Sequence, residues 1–132
     1  GLYDRSPASE WLNRYQLVDQ GVPYAIMSAD PAQYPGEIIE KDLAAGKIDA
    51  AIVWGPIAGY YAKRVTSMKL TVVPMRSEKN IKFDFPMAMG VRYGEREWKQ
   101  QIESLIEKKA PQINAILTEF GVPLVEEPAA AR

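Results

Sequence analysis

Apolar residues recur along the chain at two different spacings, and together these spacings predict an α/β fold. Helical spacing, with apolar positions three or four residues apart, predicts five helices, while short runs rich in β-branched residues predict strands between them. In the first half the order is α-β-α-β-α, which is typical of a wound, mainly parallel sheet with flanking helices. The predicted helices span residues 7–16, 36–46, 56–64, 94–108 and 111–121, and the predicted strands span residues 23–27, 48–54, 70–75 and 83–92.

The most informative stretch is the apolar run from Ile48 to Trp54, which leads directly into a predicted helix. Gly55 allows a tight turn, and Pro56 has a fixed φ that suits a first helical turn. In open α/β sheets, ligands bind at the carboxyl ends of strands and at helix N-termini. We therefore expect a ligand or partner near Trp54 and Gly55.

The second half of the chain has a different character, which suggests that the molecule has two parts. Its predicted strands carry proline and charged interruptions, and Pro86 favours an edge strand or a bulge. We predict an α/β segment over residues 1–66, a second segment with the C-terminal helices over residues 67–125, and a disordered tail over residues 126–132.

Composition excludes several kinds of chemistry. The 132 residues include no cysteine and no histidine, so thiolate catalysis and Ser-His triads are excluded. The net charge of −1 gives no electrostatic reason to expect nucleic acid as a partner. Residues 61–82 carry six bases and one acid, which would suit an acidic docking partner or, more simply, solvated loop charges. No apolar run approaches the length of a membrane span.

Three longer stretches carry a resemblance to a known family. The segment Asp42–Tyr61 resembles the second-lobe motif of type II periplasmic solute-binding proteins, and its Trp-Gly-Pro-Ile-Ala-Gly-Tyr form is similar to one branch. That branch is the binding-protein-like accessory of PQQ-dependent methanol dehydrogenases, the J protein of the methanol oxidation clusters. Asp4–Tyr15 and Pro86–Arg92 extend the resemblance, which covers roughly residues 2–125.

The resemblance implies a fold with part of its first lobe missing. Members of the family are longer, and an N-terminal segment builds the first lobe before the chain enters the second. By this comparison the chain is a C-terminal fragment whose residues 70–125 lack their sheet neighbours. Exposed strand edges and apolar faces promote association, so we expect a homo-oligomer or a copurifying partner fragment.

Trp54 stands where amino-acid-binding members of the family typically have an aspartate that pairs with the ligand's ammonium group. A buried ammonium without a charge partner is costly, so an ordinary amino acid is not the expected ligand. Trp54 would instead stack on a flat ligand or hold a cation on its face, unless it simply fills the cleft or packs in the core.

The remaining candidate residues are polar or aromatic. Ser6 matches the helix N-terminus that receives a ligand carboxylate in the family, or it serves as a plain helix cap. Arg5 would assist an anion there or face water. The aromatic group Tyr34, Trp54, Tyr60 and Tyr61 suggests a cleft or an interface, where tyrosine and tryptophan are enriched, although ordinary packing is the simpler explanation for Tyr61. The acids Glu37, Glu40 and Asp42 do not have the spacing of a recognised metal loop, so we predict no metal site.

Taken together, the resemblance implies a non-enzymatic periplasmic accessory protein with no cofactor of its own. It would contact the PQQ-dependent quinoprotein methanol dehydrogenase, of the calcium or lanthanide type, and its cytochrome, and support assembly or activation of the enzyme. The alternative is a substrate-binding protein of an ABC transporter that binds a small-molecule solute.

Overall fold

A computed structural model describes residues 1–25, 30 and 32–125. The predicted residues 26 and 27 of one strand, Pro31 of one turn, and the predicted tail at 126–132 lie outside this range. Among the described residues, no helix combines the length and the apolar character that crossing a membrane requires.

A small parallel sheet forms the centre of the first segment. Strand β1 (Leu2–Tyr3) pairs in parallel with β2 (Pro23–Tyr24), with Leu2 opposite Pro23 and Tyr3 opposite Tyr24. On the other side of β1, Ile52 forms a parallel bridge with Leu2, and its N–H donates to the carbonyl of Gly1 at 2.8 Å. The parallel arrangement agrees with the predicted α/β class.

The predicted strand at 48–54 is wrong as a continuous element. This stretch contributes one bridge at Ile52 rather than a regular strand, although the N-terminal ammonium of Gly1 also donates to the carbonyl of Ala50. A strand is defined by its hydrogen bonds to a neighbouring strand. Because β1 has two residues, it can pair with a very short part of this stretch. Ile48 is buried in this stretch, residues 51–53 are partly buried, and Asp49, Ala50 and Trp54 are exposed. The apolar pattern therefore overestimates the regularity of the segment.

The helix α1 (Pro7–Arg14) begins where the sequence predicts, with Ser6 at the N-cap and Pro7 in the first turn. A short 3₁₀ turn follows at Val18–Gln20. The second predicted helix is a π-helix over Ile38–Leu43, and Gly46, at φ +71°, ends the turn that follows it. The core cluster Ile38, Ile39 and Ile48 lies between this π-helix and the sheet.

The helix α2 (Gly55–Arg64) follows the central apolar run and packs against the π-helix. Trp54 occupies its N-cap position and Pro56 lies in its first turn. Gly59 is the buried residue of this helix. The turn predicted at Gly55 and the helix predicted from Pro56 are thus confirmed to within one residue.

The helix α3 (Arg96–Glu119) is a single helix of 24 residues with Pro111 inside it. The two helices predicted on either side of Pro111 are therefore wrong. The proline removes one backbone hydrogen bond, but the helix continues through it. No residue of α3 is fully buried.

The two strands predicted at 70–75 and 83–92 are also wrong, because both stretches are irregular in the structure. Between them, Glu78 and Ile81 form an antiparallel bridge, and Ile81 is buried. This turn is attached to α1 through Tyr15, whose hydroxyl donates to the Glu78 carboxylate at 2.8 Å. Arg14 donates to the Glu78 carbonyl at 3.3 Å.

Candidate functional site

The carboxyl edge of the parallel sheet brings four of the six candidate residues to one side of the molecule. Arg5 and Ser6 follow β1, while Trp54 and Gly55 follow the bridge residue Ile52. Because the paired segments run in the same direction, their carboxyl ends meet at the same edge. That these residues contact a ligand or a partner stays a prediction.

Trp54 is half exposed at this edge, with 51% of its surface accessible. It is therefore not a core residue, and its indole ring is available for stacking. The first turn of α2 also contacts the chain beyond α3: a Cβ at Gly55 would lie 3.0 Å from the Cγ of Pro123. The end of α3 thus borders the same edge.

Arg5 and Ser6 form the turn that leads into α1. Arg5 adopts a left-handed φ of +56°, and its side chain is 91% exposed, 4.0 Å from the carboxylate of Asp4. A non-glycine residue with such a φ is uncommon and carries some strain. The Ser6 hydroxyl donates backwards to the carbonyl of Tyr3 at 2.6 Å and caps no helical N–H. The side-chain part of the predicted cap is therefore wrong, while its position is right.

The other two candidates, Tyr34 and Tyr60, meet at a different place. Together with Glu40, Tyr61 and Arg64 they line a cavity of about 400 Å³. We call these five residues the tyrosine–arginine cluster. It lies between α2 and the segment that leads into the π-helix. The structure therefore divides the six candidates between the sheet edge and this cluster.

A network of polar contacts organises the tyrosine–arginine cluster. Arg64 donates to one oxygen of Glu40 at 2.7 Å, and Tyr34 donates to the other at 2.8 Å. A second guanidinium nitrogen of Arg64 contacts the Tyr60 hydroxyl at 3.3 Å. These hydrogen bonds hold the pKa of Glu40 below its ordinary value of 4.5, with the bond from Arg64 as the main cause. Donation to the Glu40 carboxylate also raises the pKa of Tyr34.

Aromatic contacts surround this ion pair. The Arg64 guanidinium lies 5.6 Å from the Tyr60 ring centre and 6.0 Å from that of Tyr61. Tyr60 also stacks on Phe120, just beyond the end of α3, with ring centres 6.0 Å apart. Gly36 makes room for the ring of Tyr61, which a Cβ at that position would overlap. The cation of the cluster, Arg64, therefore already lies against the rings of Tyr60 and Tyr61.

The sequence pattern groups Tyr61 with Tyr34 and Tyr60, but it does not connect Glu40 and Arg64 with these tyrosines. On sequence alone, Glu40 is one of three neighbouring acids, Tyr61 an aromatic neighbour of Tyr60, and Arg64 part of a basic stretch. Glu40 and Arg64 are 24 positions apart, so no local spacing connects them. A charge pair between two consecutive predicted helices is the signal that could have found them.

The three acids considered for a metal are each paired with a base instead. Besides the pair of Glu40 with Arg64, Lys41 contacts Glu37 at 2.5 Å and Lys47 contacts Asp42 at 2.8 Å. Within residues 1–25, 30 and 32–125, no group of three potential ligands could hold a metal ion.

Asp42 has a second partner besides Lys47, because the Tyr24 hydroxyl donates to it at 2.7 Å. Burial of the phenol and this hydrogen bond together raise the pKa of Tyr24 to about 12. Strand β2 is thereby joined to the π-helix by a polar contact.

Two comparisons with known proteins show which proteins this chain is similar to. It is 34% identical over 117 residues to Protein MoxJ from Methylorubrum extorquens, a match that covers 84% of this chain and 37% of MoxJ. Its fold matches the crystal structure of the periplasmic binding protein XoxJ from Methylobacterium extorquens with a TM-score of 0.77 and 34% identity. This chain is a homologue of MoxJ and XoxJ.

The structural match covers 96% of this chain and 56% of the XoxJ chain. The chain thus spans between about a third and a little over half of these relatives. No protein-family model matches it. The resemblance to the binding-protein-like J proteins and the α/β binding-protein fold are both confirmed by these matches.

Proposed function

We propose that the chain acts without enzymatic activity, as a binding-protein-like accessory of methanol oxidation in the periplasm. In this role it contacts a PQQ-dependent methanol dehydrogenase and supports the assembly or activation of that enzyme. The observation that carries the proposal is the relationship to MoxJ and XoxJ over nearly the whole of this chain. The description of XoxJ as a periplasmic binding protein supports the periplasmic location.

The sheet edge offers a surface that suits a protein partner. Trp54 is exposed there, and tryptophan is strongly enriched among the residues that dominate the energy of protein interfaces. The chain provides no acidic side chain at position 54 for an amino-acid ammonium. A protein partner or a flat ligand is therefore favoured at this edge over an ordinary amino acid.

The decisive experiment measures binding of the immobilised chain to a purified PQQ-dependent methanol dehydrogenase by biolayer interferometry. Saturable binding at physiological salt is expected, and Trp54→Ala should weaken it by roughly 10- to 30-fold, because an interface hot spot is worth about 2 kcal/mol. Trp98→Ala is the matched control, since Trp98 is 49% exposed and lies on α3. It should leave the affinity within about twofold.

Two results would contradict the proposal. Absence of saturable binding would remove the dehydrogenase as a partner of this chain. Equal losses of affinity with Trp54→Ala and Trp98→Ala would move the contact away from the sheet edge. Repeating the measurement with the dehydrogenase's cytochrome tests that second expected partner in the same way.

A solute-binding role in an ABC transporter is the second candidate. It is favoured by the meeting of Arg5, Ser6 and Trp54 at the carboxyl edge, where α/β folds bind small molecules. A thermal shift produced by one compound from a panel of small aromatic and cationic solutes, together with no binding to the dehydrogenase, would support this role instead.

We also propose that the chain alone self-associates. The support is the large exposed apolar surface, which includes Val73 at 74%, Met87 at 78% and Met89 at 66%. The division of the chain into segments 1–66 and 67–125 is a separate prediction. Light scattering at several protein concentrations measures this association directly.

A further inference from the structure

We propose that the tyrosine–arginine cluster binds a small neutral molecule rich in hydroxyl groups, a monosaccharide or a cyclic polyol. The cluster is separate from the sheet edge, because Trp54 and Arg64 lie at opposite ends of α2. At 1.5 Å per residue, they are about 15 Å apart along the helix. Binding at the cluster is therefore independent of the dehydrogenase contact, which we place at the sheet edge.

The cavity of the cluster has the size and the lining of a small-molecule site. Its volume of about 400 Å³ lies within the range of about 300–1,000 Å³ that is typical of such sites. Three of its five lining residues are tyrosines, and the other two, Glu40 and Arg64, are charged. Aromatic walls with a small number of converging polar groups are the usual composition of a ligand pocket.

The element that carries Glu40 is itself unusual. Glu40 lies within the π-helix Ile38–Leu43, in which Ala44 donates to the carbonyl of Ile39, five residues earlier, at 3.0 Å. π-helical turns are rare and are frequent at functional sites. This π-helix places the Glu40 side chain in the wall of the cavity, so the unusual backbone and the cavity coincide.

The charges around the cavity cancel, which favours a neutral ligand. Arg64 donates to Glu40 at 2.7 Å, and Lys41 pairs with Glu37 at 2.5 Å beside them. A charged ligand would have to compete for one member of an existing pair, and the other member would then lose its partner. A neutral ligand leaves both pairs intact.

The ring faces of the three tyrosines also lie near cations of the chain itself. The Lys41 ammonium is 5.7 Å from the Tyr34 ring centre, and the Arg64 guanidinium is within 6.0 Å of the centres of Tyr60 and Tyr61. A cationic ligand would therefore repeat contacts that these side chains already make. The hydroxyl groups at the ring edges are the part of the cluster that a ligand can use.

The remaining hydrogen-bonding capacity includes both donors and acceptors. Tyr60 accepts from Arg64 at 3.3 Å, so its own O–H can still donate, while Tyr34 donates to Glu40 and its oxygen can still accept. The Tyr61 hydroxyl makes no hydrogen bond within the described part of the chain. A carboxylate would use the donors alone and an ammonium the acceptor alone. A ligand hydroxyl both donates and accepts, so it suits all three tyrosines.

The test is an NMR titration of the isotope-labelled chain with D-glucose, D-xylose and myo-inositol in turn. At least one of these compounds should shift the backbone amide signals of residues 34–40 and 60–64 in a saturable way. Tyr61→Phe should raise the dissociation constant about three- to tenfold, because it deletes one hydrogen bond to the ligand. The fold should be unaffected, since this hydroxyl has no partner in the described residues.

Tyr93→Phe is the matched control, because it removes the hydroxyl of a fully exposed tyrosine outside the cluster and should leave the dissociation constant unchanged. Absence of saturable shifts with all three compounds overturns the proposal, as do equal effects of the two phenylalanine variants. Shifts confined to Trp54 and Gly55 would assign the compound to the sheet edge instead. A stronger response to sodium succinate or to choline would show that the site prefers an ion. Tyr61→Phe should leave dehydrogenase binding unchanged, so the two proposals are tested separately.

Discussion

Gly59 and Gly121 meet where α2 crosses the end of α3. A Cβ added at Gly59 would overlap the carbonyl oxygen of Gly121, and one added at Gly121 would lie 2.7 Å from the carbonyl oxygen of Gly59. Gly121 also has a φ of +75°, which favours glycine. Lys63 reinforces the crossing by donating to the carbonyl of Glu119 at 2.6 Å. Two absent side chains therefore allow the two backbones to touch.

Replacing Gly59 with alanine should destabilise the chain by about 1–3 kcal/mol, the range for overpacking a tight site. The added methyl group would push the two backbones apart and loosen the packing of Tyr60 on Phe120. Urea denaturation followed by fluorescence measures the change in the free energy of unfolding. Gly90→Ala is the control, because a Cβ there meets nothing within 4 Å. If the two variants are destabilised equally, the crossing is not the cause.

At the scale of elements, α3 combines great length with weak attachment: its 24 residues are held mainly at the C-terminal end. Pro111 lies inside it, where proline has no N–H to donate and costs about 3 kcal/mol relative to alanine. Because no residue of α3 is fully buried, its N-terminal half is stabilised mainly by its own hydrogen bonds.

Pro111→Ala should therefore stabilise α3 locally more than it stabilises the whole molecule. Amide hydrogen exchange of residues 100–110 should slow by about tenfold or more, because removing even half of the proline penalty exceeds about 1.4 kcal/mol. Gln112→Ala is the control, because it replaces one good helix former with another at the next position. It should change the amide hydrogen-exchange rates little. Unchanged exchange in Pro111→Ala would show that the helix opens elsewhere.

The difference between local and long-range bonding explains which elements the sequence predicts well. Helices α1 and α2 are predicted to within two residues because their hydrogen bonds and capping residues are local. The strands at 48–54, 70–75 and 83–92 are overestimated because a strand requires a neighbour, and composition does not reveal whether one is present. Pro111 predicts a break on sequence grounds, although the helix accommodates it.

The same difference between local and long-range contacts separates the site residues that the sequence predicts from those that it does not. A single strand-turn-helix pattern is enough to predict Trp54 and Gly55 at the sheet edge. The pairing of Glu40 with Arg64 depends on how the π-helix packs against α2, which no short motif describes.

For the whole molecule, ion pairs with half-buried carboxylates connect successive elements of the first segment. The Glu40 side chain is 19% exposed and the Asp42 side chain 21%, and hydrogen bonds hold the pKa of each below its ordinary value. A carboxylate with a lowered folded-state pKa stabilises the fold above its unfolded pKa and loses that contribution as the pH falls through the folded value. Acid should therefore weaken the packing of the π-helix on α2.

Arg64→Gln tests this dependence. Above pH 4.5, the ordinary pKa of Glu40, the variant should melt at a lower temperature than the original chain, because Glu40 then lacks its main hydrogen-bond donor. The difference should shrink as the pH falls toward about 3, where Glu40 is increasingly protonated in both proteins. Calorimetric melting curves across this range give the result.

Arg96→Gln makes the same chemical change on the exposed start of α3 and serves as the control. Its melting temperature should follow that of the original chain at every pH. A gap between Arg64→Gln and the original chain that stayed constant in acid would remove Glu40 as the titrating group.

The crossing of Gly59 and Gly121 also makes α3 a lever. A helix of 24 residues extends about 36 Å at 1.5 Å per residue, so a rotation of roughly 10° at the crossing would swing its free end by about 6 Å. Because the sequence contains no cysteine, one thiol introduced near Arg96 would carry a single fluorescent label. Small movements of α3 relative to α2 at the two glycines would then be detected as displacements several times larger at the N-terminal end of α3.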